Sequence, residues 1–409
     1  MAAAQCRGDN LQNVAITGLG VISSIAMGTS AYWDALVSGK RAFSPAPIQV
    51  DSGAPRFWAA VPDAYLANPG VPAEMLRNAD RFTQYAIIAA AEAIAMSGLD
   101  MPQPGTAVVM GTTMGGVPLL AETQMQFATH PHRVTPKLMA LIIPNMAAAR
   151  ISLNWGLRGR QLTISTACAS SLDAIGLAAQ MIERGEADFA IAGGAESLLA
   201  PVVYQSLDRA GALSRSADPS TASRPFDVER DGFVMGDGGA VLFLEKLQSA
   251  QARGARVLGR VRGYASMTDA YHLTAPEPSG RYEAEVMQAA LEDARCSVDV
   301  IFAHATSTVV GDLAELRAIN RCFPGVRPVV TTPRGHLGHA MAASGAMSVV
   351  AGILGMWNDA VPCTLGTRTV EPEARFDVVL HEARTLRYQV FSVNAFGFGG
   401  QNASIVVSR

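Results

Sequence analysis

Charge is scarce in this sequence, and neither sign is in excess. Asp, Glu, Lys and Arg make up 16% of the 409 residues, and 32 Lys plus Arg against 35 Asp plus Glu give a formal net charge of −3. This balance excludes a strongly basic protein that binds nucleic acid through its overall charge. Hydrophobic residues make up 49%, so the composition is that of a chain that can bury a large core and not that of a disordered one.

Cysteine is also scarce, and no two cysteines have the CxxC spacing. The five cysteines are Cys6, Cys168, Cys296, Cys322 and Cys363. An odd set without such a pair fits neither a disulfide framework nor a cysteine-based zinc site. The N-terminal segment contains Arg7 and Asp9 and lacks the apolar core of a secretory signal. We therefore expect a protein of the reducing cytoplasm that is not exported.

One long stretch lacks charge altogether. Residues 335–357 contain no Asp, Glu, Lys or Arg, and their number would be enough to cross a bilayer. The first half of the stretch contains His336, Gly338 and His339, followed by Ala and Ser, so only residues 347–356 are strongly apolar. We predict a helix buried within the protein and no membrane span.

The distribution of apolar residues predicts alternating strands and helices. Short β-branched or apolar runs beside turn residues indicate strands at residues 13–17, 106–110, 162–165, 189–192, 240–244, 257–264, 300–303, 329–332, 389–393 and 404–407. Ala-rich stretches between many of them indicate helices, notably at residues 81–97, 170–184, 282–294, 312–322 and 343–357. Alternation of this kind predicts an α/β fold.

Two similarities within the chain predict a duplicated architecture. Gly236-Asp-Gly-Gly239 and Gly397-Phe-Gly-Gly400 each precede an apolar run that indicates a strand. Residues 162–166 and 329–333 each lead through a loop into a helix rich in small residues. We predict an N-terminal half at residues 12–255 and a C-terminal half at residues 256–409, joined without a long linker into one compact body.

Cys168 is the first candidate for chemistry. It lies in Ser165-Thr-Ala-Cys-Ala-Ser-Ser171, between a predicted strand and a predicted helix. The positive end of a helix dipole favours thiolate, which would make this residue a nucleophile. Free cysteines are also commonly inert and buried, so position alone leaves both interpretations open.

Histidines and a glycine turn supply the other candidates. His304 follows the strand at residues 300–303, and His336 and His339 follow the strand at residues 329–332. A histidine in such a place is often structural, and these three lack the short spacing typical of a zinc site. The glycines of Asn394-Ala-Phe-Gly-Phe-Gly-Gly400 permit close backbone approach, so its amide groups could face a ligand oxygen.

Taken together these motifs resemble the condensing enzymes of the thiolase superfamily. The resemblance is to elongating β-ketoacyl-acyl-carrier-protein synthases of type II and to the ketosynthases of type II polyketide systems. The motifs that carry it are Thr166-Ala-Cys-Ala-Ser170, Arg224-Pro-Phe-Asp-Val-Glu-Arg-Asp-Gly-Phe-Val-Met-Gly236, Asp269-Ala-Tyr-His272, His304-Ala-Thr-Ser-Thr308 and Gly397-Phe-Gly-Gly400. The resemblance implies two duplicated α/β halves that form a layered αβαβα core.

The resemblance also implies roles for the reacting groups. Cys168 matches the nucleophile that accepts the acyl group, and His304 and His339 match the pair that assists decarboxylation of the extender unit. The backbone N–H groups of Cys168 and Phe398 match an oxyanion hole. The implied reaction is a decarboxylative Claisen condensation with malonyl carrier, in fatty-acid or polyketide synthesis, without a metal or a further cofactor.

Substrate binding follows from the same resemblance. Phe398 matches a gating phenylalanine, Met114 falls where the family lines its acyl pocket, and Thr306 and Thr308 match substrate-binding positions. The substrates are carried on the phosphopantetheine of an acyl carrier protein, which is the expected partner. We expect a homodimer, or a heterodimer with a subunit like a chain-length factor.

Four positions depart from the pattern of elongating synthases. Arg334 stands where those enzymes usually have lysine, Ser348 where they have its glutamate partner, Ala305 where they have glycine, and Gln401 where they have threonine. An Arg in place of Lys is not a conservative change. These departures leave two alternatives to a condensing enzyme: acyl transfer to an amine or alcohol without decarboxylation, and a non-catalytic partner subunit of a ketosynthase heterodimer.

Overall fold

The computed structural model describes Leu11, residues 13–48 and residues 56–409. Cys6, Arg7, Asp9 and residue 12, where the predicted N-terminal half begins, lie outside the described residues. The strands, in chain order, are β1 Val14–Ser23, β2 Ser44–Pro45, β3 Phe57–Ala59, β4 Ala107–Gly111, β5 Gln161–Ile164, β6 Phe189–Glu196, β7 Met235–Gly236, β8 Gly238–Lys246, β9 Gly259–Thr268, β10 Val300–Phe302, β11 Val329–Thr331, β12 Ala360–Val361, β13 Asp377–Val378, β14 Arg384–Thr385, β15 Val390–Gly397 and β16 Gln401–Ser408.

Helices alternate with these strands. In chain order they are α1 Thr29–Val37, α2 Asp63–Ala67, α3 Ala73–Leu76, α4 Arg81–Met96, α5 Val117–Phe127, α6 Leu138–Ile142, α7 Met146–Trp155, α8 Ser170–Glu183, α9 Pro201–Arg209, α10 Leu247–Ala252, α11 Arg281–Ala294, α12 Val309–Cys322, α13 Arg334–Leu337 and α14 Ser344–Trp357. Each of the ten predicted strands and five predicted helices overlaps an element of the structure, which confirms the α/β prediction.

The order of strands in the main sheet repeats within the chain. The sheet runs β13-β11-β10-β15-β16-β9-β1-β8-β6-β4-β5. From the centre outward, one set of five strands is β1-β8-β6-β4-β5 and the other is β9-β16-β15-β10-β11. If the strands of each set are numbered in chain order, both sets run first, fifth, fourth, second, third. The two sets meet where β1 pairs antiparallel with β9. The predicted duplication is therefore visible in the strand order. The division at residues 255 and 256 stays a prediction; it falls between the end of α10 and the start of β9.

Two helices lie between the repeated sets of strands. α8 contacts β4 and β6 of one set and β9 and β16 of the other, while α14 contacts β10 and β15 as well as β6 and β8. α4 and α7 pack on the outside of the first set, and α11 and α12 pack on the outside of the second. The layers are thus α, β, α, β, α, as the resemblance implied.

Close packing of helices on the sheet depends on small residues. A Cβ on Gly18 would lie 1.9 Å from the carbonyl oxygen of Ala93 in α4, and one on Gly20 would lie 1.9 Å from that of Ala89. The Ala-rich face of α4 can therefore approach β1 at backbone distance. The predicted apolar helix is α14, which is almost wholly buried. Within the part of the chain that the structure describes, no helix has the length and apolar character needed to cross a membrane.

The two central helices begin in the same way. Each is preceded by a three-residue 3-10 turn, Ala167–Ala169 before α8 and Met341–Ala343 before α14. Both turns start with a residue of positive φ, Ala167 at 49° and Met341 at 42°. Cys168 is the middle residue of the first turn, and Ala342 is the middle residue of the second. The duplication thus presents two equivalent helix starts, of which one carries a thiol.

Candidate active site

Cys168 lies at the entry to α8, in the loop that follows strand β5. The hydroxyl of Ser170 accepts a hydrogen bond from the Thr166 amide at 3.0 Å and donates one to the Ala167 carbonyl at 2.6 Å. Thr166 also donates its hydroxyl hydrogen to Asp173 on α8. These bonds hold the turn in its left-handed backbone conformation, which is uncommon for a residue with a side chain. The result is a fixed sulfur at the boundary between the two halves.

His339 is the nearest imidazole to the thiol. Its Nε2 lies 3.0 Å from the Cys168 Sγ, and its Nδ1 lies 3.1 Å from the hydroxyl oxygen of Ser344. The His339 amide donates to the carbonyl of Val234 at 2.7 Å, which fixes the loop before α14. Because a hydroxyl can donate or accept, Ser344 is compatible with either tautomer of His339.

His304 lies beside His339, in the loop between β10 and α12. The two rings are 5.2 Å apart at their centroids and nearly perpendicular. The carboxylate of Glu315 accepts hydrogen bonds from the amides of His304 at 2.9 Å and of Ala305 at 2.7 Å. Ala305 has a φ of +29°, a strained value for a residue with a Cβ. The alanine that departs from the family pattern thus occupies a backbone conformation that favours glycine.

Two buried carboxylates on α12 position this loop. Glu315 also accepts a hydrogen bond from the Asn394 side chain at 3.2 Å, and Asp312 accepts hydrogen bonds from the amide of Ser307 at 3.0 Å and that of Phe226 at 2.8 Å. The sequence showed both acids downstream of His304 but gave them no role. Their spacing of three residues at the start of a helix was the available signal, because it places both on one face toward the preceding loop.

The glycine turn between β15 and β16 presses against the Cys168 turn. A Cβ on Gly397 would lie 2.9 Å from the Cys168 nitrogen, so only glycine allows this approach. Hydrogen bonding from the backbone amides of Phe398 and Cys168 lowers the pKa of the Cys168 thiol, so both amides lie near the sulfur.

The protonation state of the Cys168 thiol, which its position in the sequence left open, is governed by burial. Burial raises the pKa of Cys168 to about 12, and the nearby Arg334 charge and the two amides lower it by less. At neutral pH the resting sulfur therefore keeps its hydrogen, which can be donated to His339. Burial also lowers the pKa of His304 and of His339 well below 6.5, and the charge on Arg334 adds to the effect. Both imidazoles are neutral.

A cavity of about 560 Å³ opens onto these three side chains. Met114, Thr306, Thr308 and Phe398 all line it, and the Thr306 and Thr308 hydroxyls lie 3.1 Å apart; their roles in gating and substrate binding stay predictions. The Phe398 side chain is 45% exposed, which places it at the mouth. A larger cavity of about 1080 Å³, between α4 and α5, shares none of these lining residues.

The histidines do not form the three-histidine metal set considered from the sequence. The ring nitrogens of His336 face the carbonyls of Lys40 at 3.0 Å and of Cys363 at 2.9 Å, outside the cavity. The reactive atoms of Cys168, His304 and His339 do lie within 4.8 Å of one another. A soft metal ion could be held by such a set, but the same spacing suits proton transfer and hydrogen bonding to a small substrate group.

Arg334 is buried behind the reactive groups. Its side chain is 1% exposed, and its Nη1 lies 3.5 Å from the Ser348 hydroxyl, which is a marginal hydrogen bond. Its Nε and Nη2 have no hydrogen-bond partner. Burial lowers the pKa of Arg334 to about 10, so the group remains charged at neutral pH. The departure from a Lys–Glu pair thus leaves a buried positive charge that forms no ion pair with a carboxylate of the described residues, although the charges of Glu315 and Asp312 act on it.

The charge on Arg334 should affect the pH below which acylation of Cys168 slows, which we call the acid limit. Because the His339 pKa lies well below 6.5, the rate of acylation by an acyl thioester should stay constant until the pH falls well below that value. Arg334→Met removes the positive charge, and because that charge lowers the pKa of His339, its loss should raise this pKa. The acid limit should therefore rise by about one pH unit.

Arg334→Lys is the matched control for this experiment, because it keeps the charge and should move the acid limit less. Stopped-flow acylation, followed between about pH 4.5 and pH 8, measures the limit. An unchanged limit in Arg334→Met would show that Arg334 does not act on His339.

A layered duplicated fold that places a thiol beside two neutral imidazoles is typical of an acyltransferase of the thiolase fold. Residues 11–250 match the family described as "Beta-ketoacyl synthase, N-terminal domain", and residues 258–368 match "Beta-ketoacyl synthase, C-terminal domain". The chain therefore belongs to the β-ketoacyl synthase family.

Relatives and solved structures agree over nearly the full length. The chain is 35% identical to 3-oxoacyl-[acyl-carrier-protein] synthase 2 of Synechocystis sp. and 34% identical to that of Staphylococcus aureus strain COL, covering 97% of this chain and 98% of each relative. It superposes on the ishigamide ketosynthase/chain length factor with a TM-score of 0.89 and 31% identity, over 97% of this chain and 99% of that one. A β-ketoacyl synthase from Burkholderia phymatum gives 0.86 and 31% over the same shares.

Proposed function

We propose that this protein is a β-ketoacyl-acyl-carrier-protein synthase that condenses a Cys168-bound acyl group with malonyl carrier protein, releasing CO₂. The observation that carries the proposal is the position of the Cys168 thiol 3.0 Å from His339, with His304 beside it, in one cavity lined by all three. Cys168 would be the nucleophile, and the amides of Cys168 and Phe398 the oxyanion hole.

Acylation of the thiol would be the first step. His339 Nε2 accepts the thiol proton as the sulfur attacks the thioester carbonyl of the acyl carrier. The oxyanion that forms accepts hydrogen bonds from the two amides, each typically worth about 3 kcal/mol to such a transition state. The C–S bond to the carrier then breaks, the proton on His339 passes to the departing pantetheine sulfur, and an acyl thioester remains on Cys168.

Decarboxylation would be the second step. The bond between the malonyl methylene carbon and its carboxylate breaks, CO₂ leaves, and the electron pair forms an enolate whose charge lies on the thioester oxygen. His304 and His339 are neutral, so each can donate one N–H to that oxygen. Donation by His339 requires hydrogen on Nε2, so between the two steps the ring must lose its Nδ1 proton and gain one on Nε2 by exchange with solvent. The Ser344 hydroxyl, which accepted from Nδ1 during acylation, then donates to it. The same residue thus accepts a proton in one step and donates a hydrogen bond in the next.

Condensation would complete the cycle. The enolate carbon attacks the acyl carbonyl on Cys168, whose oxyanion again occupies the amide site, and the C–S bond to Cys168 breaks. The products are a 3-oxoacyl carrier and a free enzyme that recovers its thiol hydrogen from solvent through His339. We propose that no metal or nicotinamide takes part, because the amides and imidazoles supply the stabilisation that the steps need.

Partners and location belong to the same proposal. One solved neighbour, 27% identical with a TM-score of 0.85, is a type II polyketide ketosynthase in complex with its acyl-carrier protein, and another is a ketosynthase/chain length factor. They support a carrier protein as partner, reached through the pantetheine arm beside Thr306 and Thr308, and a homodimer or a heterodimer. The described cysteines are free thiols, which supports a reducing cytoplasm.

The wild-type protein tests this proposal directly. Incubation with acyl carrier protein should give an acyl adduct on Cys168, and addition of malonyl carrier should give CO₂ and a carrier product heavier by two carbons. Intact-mass spectrometry and isotope-labelled malonyl carrier measure both. Transfer of the acyl group to an added amine or alcohol without release of CO₂ would contradict the proposal and favour the non-decarboxylative alternative.

A further inference from the structure

We infer that Asp173 and Tyr264 are positioning residues for the acylation of Cys168. Acting through Thr166, they hold the sulfur of Cys168 at the distance from His339 that proton transfer requires. The inference rests on the proposed function, because it concerns the acylation step. It goes beyond that function by giving a role in the reaction to two side chains that do not line the cavity around the thiol.

The Asp173 carboxylate is bound by one hydroxyl group at each oxygen. Its Oδ2 accepts a hydrogen bond from the Thr166 hydroxyl, and its Oδ1 accepts one from the Tyr264 hydroxyl at 2.7 Å. Asp173 is 3% exposed. Burial raises the pKa of this carboxyl, and hydrogen bonding from the hydroxyls of Thr166, Tyr264 and Ser266 lowers it by less. Loss of either hydroxyl would therefore leave a buried carboxyl oxygen without its donor.

Thr166 is the residue from which the Cys168 turn starts. Its carbonyl accepts a hydrogen bond from the Ala169 amide at 3.0 Å, and the residue after it, Ala167, has a φ of +49°. A left-handed backbone at a residue with a Cβ is unfavourable and persists only where its surroundings enforce it. The hydrogen bond from Thr166 to Asp173 is one such constraint, so its loss would allow the turn to relax.

Tyr264 supplies a constraint from the other half of the chain. It lies on β9, where its amide donates to the Asp293 carboxylate on α11 at 3.0 Å. Its ring lies against α8, because a Cβ on Gly176 would be 2.3 Å from the ring. A side chain at Gly176 would displace the ring. Tyr264 thus attaches the first turns of α8 to the C-terminal half.

This attachment matters because the reacting atoms come from different halves. Cys168 belongs to the N-terminal half and His339 to the C-terminal half, and 3.0 Å separates Sγ from Nε2. The path from Tyr264 through Asp173 to Thr166 joins the halves beside the turn that carries the sulfur. A misplacement of about 1 Å between reacting groups can slow a reaction by up to about a hundredfold.

Removal of one hydroxyl at a time tests the inference. In Tyr264→Phe, and separately in Thr166→Val, the rate constant for acylation of Cys168 by excess octanoyl carrier protein should fall about tenfold. The carrier concentration that gives half the maximal rate should stay within about twofold of wild type, because neither residue lines the cavity. Thr166→Ser keeps the hydroxyl and should restore the wild-type rate constant. Quenched-flow mixing followed by intact mass measures these rates.

The double variant, Tyr264→Phe with Thr166→Val, distinguishes one shared path from two separate effects. Both hydroxyls act through the same carboxylate, so the double variant should be acylated about as slowly as either single variant. A fall of about a hundredfold, the product of two independent tenfold effects, would contradict a shared path through Asp173.

Release of CO₂ from malonyl carrier separates positioning from a general loss of structure. In the proposed reaction this step uses His304 and His339 and not the sulfur, so its rate in Tyr264→Phe should stay within about twofold of wild type. Tyr388→Phe is the matched control. It removes a buried hydroxyl that donates to the Gly352 carbonyl at 2.7 Å, outside the cavity, and should leave both rates unchanged.

The possible outcomes distinguish the inference from the proposed function. Acylation of Tyr264→Phe at the wild-type rate, or an equal fall in its acylation and its CO₂ release, would overturn the inference and leave the proposed function intact. A wild-type protein that forms no acyl adduct would overturn the proposed function itself. Tyr264→Phe removes a single oxygen atom, so it tests the inference even if Thr166→Val fails to fold.

Discussion

Replacing Cys168 by alanine should abolish acyl transfer and condensation while malonyl carrier continues to lose CO₂. No other described thiol lines the cavity, so formation of 3-oxoacyl carrier should fall by about 10⁴-fold or more. In the proposed mechanism decarboxylation uses the imidazoles and not the sulfur, so its rate should remain within about tenfold of wild type. Intact mass of the protein and release of labelled CO₂ measure the two halves of the reaction separately.

Cys322→Ala is the matched control for this substitution. The Cys322 thiol is partly buried on α12, donates to the Ala284 carbonyl at 3.4 Å and does not line the cavity. The acyl adduct and the condensation rate should be unchanged in this variant. Full condensation activity of Cys168→Ala, alone or assembled with a partner subunit, would contradict the proposed function and support a non-catalytic role for this chain.

Replacing His304 by alanine should slow the release of CO₂ from malonyl carrier while acylation of Cys168 continues. The enolate oxygen would lose one of its two imidazole donors, so CO₂ release and condensation should fall by about 10² to 10³-fold. Acylation should remain within a few fold of wild type, because His339 and not His304 contacts the thiol. Single-turnover acylation followed by mass, and CO₂ release from malonyl carrier, measure the difference.

His132→Ala provides a control for loss of an imidazole as such. His132 is exposed and lies outside the cavity, so both half-reactions should proceed at wild-type rates. Loss of the acyl adduct in correctly folded His304→Ala would contradict the assignment of separate steps to the two histidines. Undiminished CO₂ release from His304→Ala would contradict its role in holding the enolate oxygen.

Much of the fold could be predicted from the sequence because its signals are local. Strands in the sheet are short apolar runs beside turn residues, and α4, α8 and α14 are Ala-rich or uniformly apolar stretches between them. The repeated glycine turns before β8 and β16 revealed the duplication. Pairing of β1 with β9 and the contacts of α8 with strands of both halves could not be read from the sequence, because they depend on how the two halves dock.

The sequence predicted which residues form the site, but it did not predict their protonation states. Motif matching named Cys168, His304 and His339, and the structure brings them together although Cys168 and His339 are 171 residues apart. The position of Cys168 left its protonation state open; burial raises the pKa of the thiol more than Arg334 and two backbone amides lower it. Glu315 was overlooked as a positioning residue: its spacing from Asp312 indicated a shared helix face, but the two amides that it binds were identified only by the conformation of the loop.

The two copies of the internal repeat differ at one side chain, and in the proposed reaction this difference sets how many acyl groups each polypeptide can carry. Of the two equivalent turns that lead into α8 and α14, one presents the sulfur of Cys168, while the other presents the methyl group of Ala342. In the proposed reaction each polypeptide would therefore hold a single acyl intermediate at a time, while the turn at Met341–Ala343 connects the loop of His339 to α14.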